Sequence, residues 1–129
     1  MSASGQRSVI LSIGHDARVL ETQSAVLESA GWDVVSTMDD VEAISLAASR
    51  NVDLALLADS IDPSERVFLG QTLKRMDASL FVVMIDNDRG AGLPPDSADV
   101  FIESLSDPQI LINAIRGLLN SRSRQQVAS

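Results

Sequence analysis

His15 stands directly before Asp16 at the end of an apolar run, and an imidazole beside a carboxylate is a pair that could ligate a metal or act as a general base. It is the one histidine among 129 residues, and there is no cysteine. That removes two-histidine metal sites, thiolate zinc sites, iron–sulfur clusters, disulfides and cysteine nucleophiles. Without a second imidazole, His15 reads as an exposed loop histidine. The Asp39-Asp40 pair could be two catalytic carboxylates, but it precedes an apolar helical segment and reads as a helix cap, as do Asp62 and Asp107. Asp86-Asn87-Asp88 looks like part of a calcium loop, yet the glycine and closing glutamate of that motif are absent. Gly90 and Gly92 are not followed by a helix opening on Lys-Ser or Lys-Thr, so they build no phosphate cradle.

Composition narrows the partners. Lys and Arg number 10 against 18 Asp and Glu, for a formal net charge of -8 and a pI near 4.4. This is the wrong sign for binding a phosphate backbone, so no direct nucleic-acid partner is expected. Aromatic residues are 3% of the chain, too few for base- or sugar-stacking platforms. No run of about 18 apolar residues occurs, and the opening Met-Ser-Ala-Ser-Gly-Gln-Arg is polar, so the expectation is a cytoplasmic protein without membrane contact. Hydrophobic content of 45% and a length of 129 residues suit one folded domain. We place that domain at residues 8–120, with 1–7 a disordered N-terminus and 121–129 a flexible tail.

These residues need elements to hold them, and short apolar runs alternate with segments of helical period. Strands are predicted over Ser8–Ile13, Trp32–Thr37, Asp53–Ala58, Leu80–Ile85 and Asp99–Glu103. Helices are predicted from Asp16 to a stop at Gly31, from Asp39 or Asp40 to Asn51, from Asp62-Pro63 to about Met76, and from Asp107-Pro108 onward. Glu65, three residues after Asp62, completes a capping-box pattern. Met76 and Met84 read as core filler, and Trp32 as cover for the sheet edge. The glycines and prolines between Asp88 and Ser97 predict a loop where another helix would otherwise stand.

Strands interleaved with helices imply a three-layer α/β domain with a parallel sheet, and the common five-stranded solution is flavodoxin-like, order 2-1-3-4-5. Sites in such folds lie beyond the carboxyl ends of the strands. Here those ends carry Gly14, His15 and Asp16; Ala58 and Asp59; Asp86 and Asn87; and Glu103 and Ser104. A flavin or nucleotide enzyme on the same frame should carry a phosphate loop after strand one, and Gly14-His15-Asp16-Ala17-Arg18 is not one.

From Ser8 to about Asn120 the layout resembles the receiver domain of bacterial two-component response regulators. The resemblance rests on Ala17-Arg18-Val19-Leu20-Glu21, Ala25-Val26-Leu27-Glu28-Ser29-Ala30-Gly31, Val52-Asp53-Leu54-Ala55-Leu56-Leu57 and Ala98-Asp99-Val100-Phe101-Ile102, which follow one another in that family's order. It implies a phosphorelay signalling role, no enzymatic activity of its own, and a protein partner, with a homodimer left open. Carried across by position, the family's magnesium-holding acidic pair falls on Gly14 and His15, with Asp16 adjacent, and its phosphoacceptor on Ala58. Its hydroxyl switch residue falls on Asp86, its switch aromatic near Phe101, and its lysine on Ser104. An alanine methyl has no nucleophilic atom, and an acid at the hydroxyl position would repel a phosphoryl group. The expectation is therefore a pseudo-receiver that is not phosphorylated and holds no cofactor. The alternative is a phosphoacceptor at Asp59, with Mg2+ held by Asp16, Asp59 and Asp86.

Overall fold

The β-branched and leucine-rich runs pair into one parallel sheet in the order β2-β1-β3-β4-β5, formed by β1 (Val9–Ile13), β2 (Asp33–Thr37), β3 (Leu54–Leu57), β4 (Phe81–Ile85) and β5 (Val100–Ile102). The computed structural model describes residues 7–49, 51–87, 91–103 and 107–128, with 122–128 through their backbone only. The helices are α1 (Ala17–Ser29), α2 (Asp40–Ser49), α3 (Pro63–Met76) and α4 (Pro108–Ala128). This is the flavodoxin-like architecture that the alternation of elements predicts.

Successive strand residues face opposite sides, and the two cores divide accordingly. Leu11, Ile13, Ala55, Leu57, Val82 and Met84 pack with Ala43 of α2 and Leu69 and Leu73 of α3. Ile10, Leu54, Leu56, Val83 and Ile85 pack on the other face with Leu27 of α1 and Leu111 and Ile115 of α4. Each buried Leu or Ile contributes on the order of 1.5–3 kcal/mol of transfer free energy, which is why continuous apolar runs are tolerated only where helices cover both faces. Trp32 lies half-buried against the α1/α4 face, with the Arg116 guanidinium 5.6 Å from its ring centroid.

The helix ends follow their capping chemistry. Asp16 accepts from Arg18 and Val19 N–H, Asp39 from Val41 and Glu42, Asp62 from Ser64, and Asp107 from Gln109. Gly31, just past α1, takes a positive φ of 101°.

Three details differ from the sequence reading. Glu65 does not complete the capping box, since its carboxylate forms no hydrogen bond to the Asp62 N–H among the described residues. Met76 is 41% exposed rather than core filler, at the last residue of α3, beyond the buried Arg66, Leu69, Gly70 and Leu73 of that helix. Helix α4 continues to Ala128, past the domain edge placed at 120, because residues 118–128 contain neither glycine nor proline and a polar sequence alone does not end a helix.

Candidate functional site

The carboxyl rim of the sheet begins where β1 and β3 end. These strands pair from Ile10↔Leu54 to Ile13↔Leu57, and the Ala58 N–H donates to the Ile13 carbonyl at 2.9 Å. The next residues, Gly14 and Ala58, therefore lie side by side. Ala58 is fully buried, and a Cβ built on Gly14 would meet Ala58 Cβ at 3.2 Å, Ser60 Oγ at 3.2 Å and Leu20 Cδ1 at 3.7 Å. Glycine at 14 thus lets the end of β1 close against the methyl of Ala58, with Leu20 of α1 also near the Gly14 backbone.

One strand further along, Asp86 follows β4 and pairs with Arg66 of α3. Arg66 is only 4% exposed. Its Nη1 donates to Asp86 Oδ1 at 3.1 Å and to the Ile85 carbonyl at 2.6 Å, and its Nε donates to the Ile61 carbonyl at 3.2 Å. A buried guanidinium needs such satisfaction, because an unpaired one would remain desolvated without compensation. Arg66 was missed in the sequence reading, although the signal is present. It shares a helical face with Leu69, Gly70 and Leu73, so a cation stands on an otherwise apolar stripe.

The same strip of α3 holds the connection between β4 and β5. No α-helix forms there among the described residues; a single 3-10 turn, Pro95–Ser97, packs on α3 instead. Contact is so close that a Cβ on Gly70 would lie 2.0 Å from the Ser97 carbonyl oxygen. Gln71 Nε2 donates to Asp96 at 2.9 Å, and Lys74 Nζ bonds Asp99 at 3.1 Å and the Leu80 carbonyl at 2.9 Å. Phe101 of β5 packs, partly buried, on the α2/α3 core. Ser104 lies outside the described residues.

The remaining predicted site residues separate. Asp16 is occupied as the α1 cap, Asp86 is bonded to Arg66, and Asp59 sits half-buried in the turn after β3. His15 is not the exposed loop residue expected: its ring is 30% exposed and Nε2 lies 3.0 Å from Asp40 Oδ1, because α2 begins across the rim from the β1–α1 loop. Among the described residues, one group of three His, Asp or Glu side chains has ligand atoms all within 4.8 Å of one another: His15, Asp40 and Glu65. Asp16, Asp59 and Asp86 do not form such a group.

No protein-family model matches this sequence, and no curated protein matches it. The fold, however, is that of response regulator receiver domains. A CheY-like receiver domain protein from Methanospirillum hungatei JF-1 superposes with a TM-score of 0.81 at 17% identity, covering 93% of this chain and 99% of that one. The Thermotoga maritima response regulator TrrA, solved in complex with Mg(2+)-BeF, gives 0.78 at 15% identity over 86% of this chain and 98% of that one. An orphan response regulator of H. pylori gives 0.71 at 18% identity over 87% and 96%. These neighbours are receiver domains of two-component signalling. No helix of the described residues is long and apolar enough to cross a membrane.

Proposed function

We propose that this chain is a receiver-like module of two-component signalling that is not phosphorylated and works through contacts with another signalling protein in the cytoplasm. The observation that carries this reading is the closure of Gly14 on Ala58 at the rim. An aspartyl phosphate brings roughly -1.5 to -2 charge, which needs a carboxylate to form on and a cation to neutralise it. At the positions that the receiver resemblance assigns to these tasks stand a hydrogen, an imidazole and a methyl group. These residues do not fit a magnesium ion, and the carboxylates of the alternative set, Asp16, Asp59 and Asp86, do not come together as a ligand group.

The switch position supports the same reading. A hydroxyl able to turn toward a phosphoryl group is replaced by Asp86, already held by the Arg66 guanidinium. Its negative charge would repel a phosphoryl oxygen rather than donate to it. With no acceptor and no mobile donor, the surface is what remains to carry a signal. A groove of about 330 Å³ between α1 and α4, lined by Val19, Val26, Leu111 and Pro108, offers apolar area for a contact.

Incubation with a small-molecule phosphodonor and Mg2+, followed by intact mass and peptide analysis, tests the reading. The expected result is an unchanged mass. A phosphorylated peptide containing Asp59 would overturn it in favour of the active acceptor.

A further inference from the structure

Asp39 caps α2 and Asp62 caps α3, which leaves the two acids that follow them, Asp40 and Glu65, free of capping duty in the first turn of each helix. Both turn to the same place. Asp40 Oδ1 lies 3.0 Å from His15 Nε2, and the ligand atoms of His15, Asp40 and Glu65 all fall within 4.8 Å of one another. The three come from three separate segments: the β1–α1 loop, the start of α2 and the start of α3. The loop is pinned by the His15 N–H donating to Ser60 Oγ at 2.9 Å, so the imidazole is presented from an anchored backbone.

We propose that His15, Asp40 and Glu65 form a binding site for a divalent first-row transition metal of the zinc type. The donor set is one borderline nitrogen and two carboxylate oxygens, which suits zinc and its neighbours, whereas magnesium and calcium take oxygen-only shells of higher number. Ligand atoms about 2.0–2.2 Å from zinc in a tetrahedron stand roughly 3.3 Å from each other. The His15–Asp40 separation is already close to that, and the exposed Glu65 carboxylate, within 4.8 Å of both partners, has the remaining gap to close on binding. With a neutral imidazole, the two carboxylates give the group a charge of about -2, which the dication cancels. The fourth position is left to water, since the group lies at the half-exposed rim. The site is separate from the Gly14–Ala58 closure and holds whether or not Asp59 accepts a phosphoryl group. It would clamp the β1–α1 loop, α2 and α3 together.

The test uses the full chain. Isothermal titration with ZnCl2 should show one saturable site, and MgCl2 should show none. Because there is a single histidine, the imidazole resonances in a heteronuclear NMR spectrum report on His15 alone, and they should shift or broaden on zinc or cobalt addition but not with magnesium. Glu65→Gln changes an exposed side chain and should retain the fold while weakening zinc affinity roughly tenfold or more, as should His15→Gln. At equal zinc concentration the melting temperature of the unaltered chain should rise by more than that of Glu65→Gln. Asp59→Asn should bind zinc as the unaltered chain does. Equal zinc affinity in the unaltered chain, His15→Gln and Glu65→Gln would overturn the proposal, and so would the absence of saturable binding at millimolar zinc.

Discussion

Arg66 Nη1 sits 3.1 Å from Asp86 Oδ1 and 2.6 Å from the Ile85 carbonyl oxygen, so one side chain of α3 ties together the ends of two elements beneath the rim. The side chains are 5% and 15% exposed, which places the pair in a poorly screened environment.

Removing the cation alone should be costly. Arg66→Ala removes the donors that Asp86 and the Ile85 and Ile61 carbonyls accept from, and breaking a buried pair from one side typically costs about 3–5 kcal/mol. Asp86→Asn keeps an acceptor for the guanidinium and should cost less. Urea denaturation of both variants checks the order, and a loss below about 1 kcal/mol for Arg66→Ala would show that the pair does not hold the rim.

Two glycines in helices should respond in opposite directions to alanine. At position 70 the new methyl would lie 2.0 Å from the Ser97 carbonyl, a backbone atom that cannot step aside without moving the turn, so Gly70→Ala should destabilise by about 2 kcal/mol or more. At position 117 nothing lies within 4 Å, and Gly117→Ala should stabilise by up to about 1 kcal/mol through helix propensity. Thermal melts of the pair separate steric contact from propensity.

Restoring an acid at the end of β3 should not restore chemistry. Ala58→Asp places a carboxylate in a fully buried seat beside Gly14, with an expected loss of about 2 kcal/mol or more. Its mass after treatment with a phosphodonor and Mg2+ should stay unchanged, whereas an added phosphoryl group would show that the surrounding rim is competent.

The α3 cap predicts a pH dependence. The Ser64 hydroxyl, then the Ser64 backbone N–H, donate to Asp62 and hold its carboxyl below the ordinary value of 3.8. A carboxyl lowered in the folded state adds stability above its unfolded value, and that addition is lost as pH falls through the folded value. The melting-temperature gap between the unaltered chain and Asp62→Ala should therefore be present at pH 7 and shrink in acid below pH 3.8; a gap that does not change with pH would contradict the cap.

Much of the fold was legible because its signals are short-ranged. Leu54–Leu57 reads as a buried strand from four consecutive apolar residues, and the Asp62-Pro63 helix start needs only adjacent positions. The gap between β4 and β5 was readable as irregular from its glycines and prolines, but not its seat on Gly70, which depends on a turn 27 positions away in sequence lying against α3. His15 was misjudged for the same reason, since its partner Asp40 is 25 residues distant.

By itself, then, the amino-acid order determined which segments are strands and helices, where their caps fall, and that positions 14 and 58 carry no acid. Those are matters of local torsion, periodicity and side-chain identity. The packing of Gly14 against Ala58, the burial of Arg66 on Asp86 and the meeting of His15, Asp40 and Glu65 were decided only when the 2-1-3-4-5 sheet brought distant loops to one edge. Contact distances of 3–5 Å arise from strand order and crossover path, and neither is written in any local stretch of the chain.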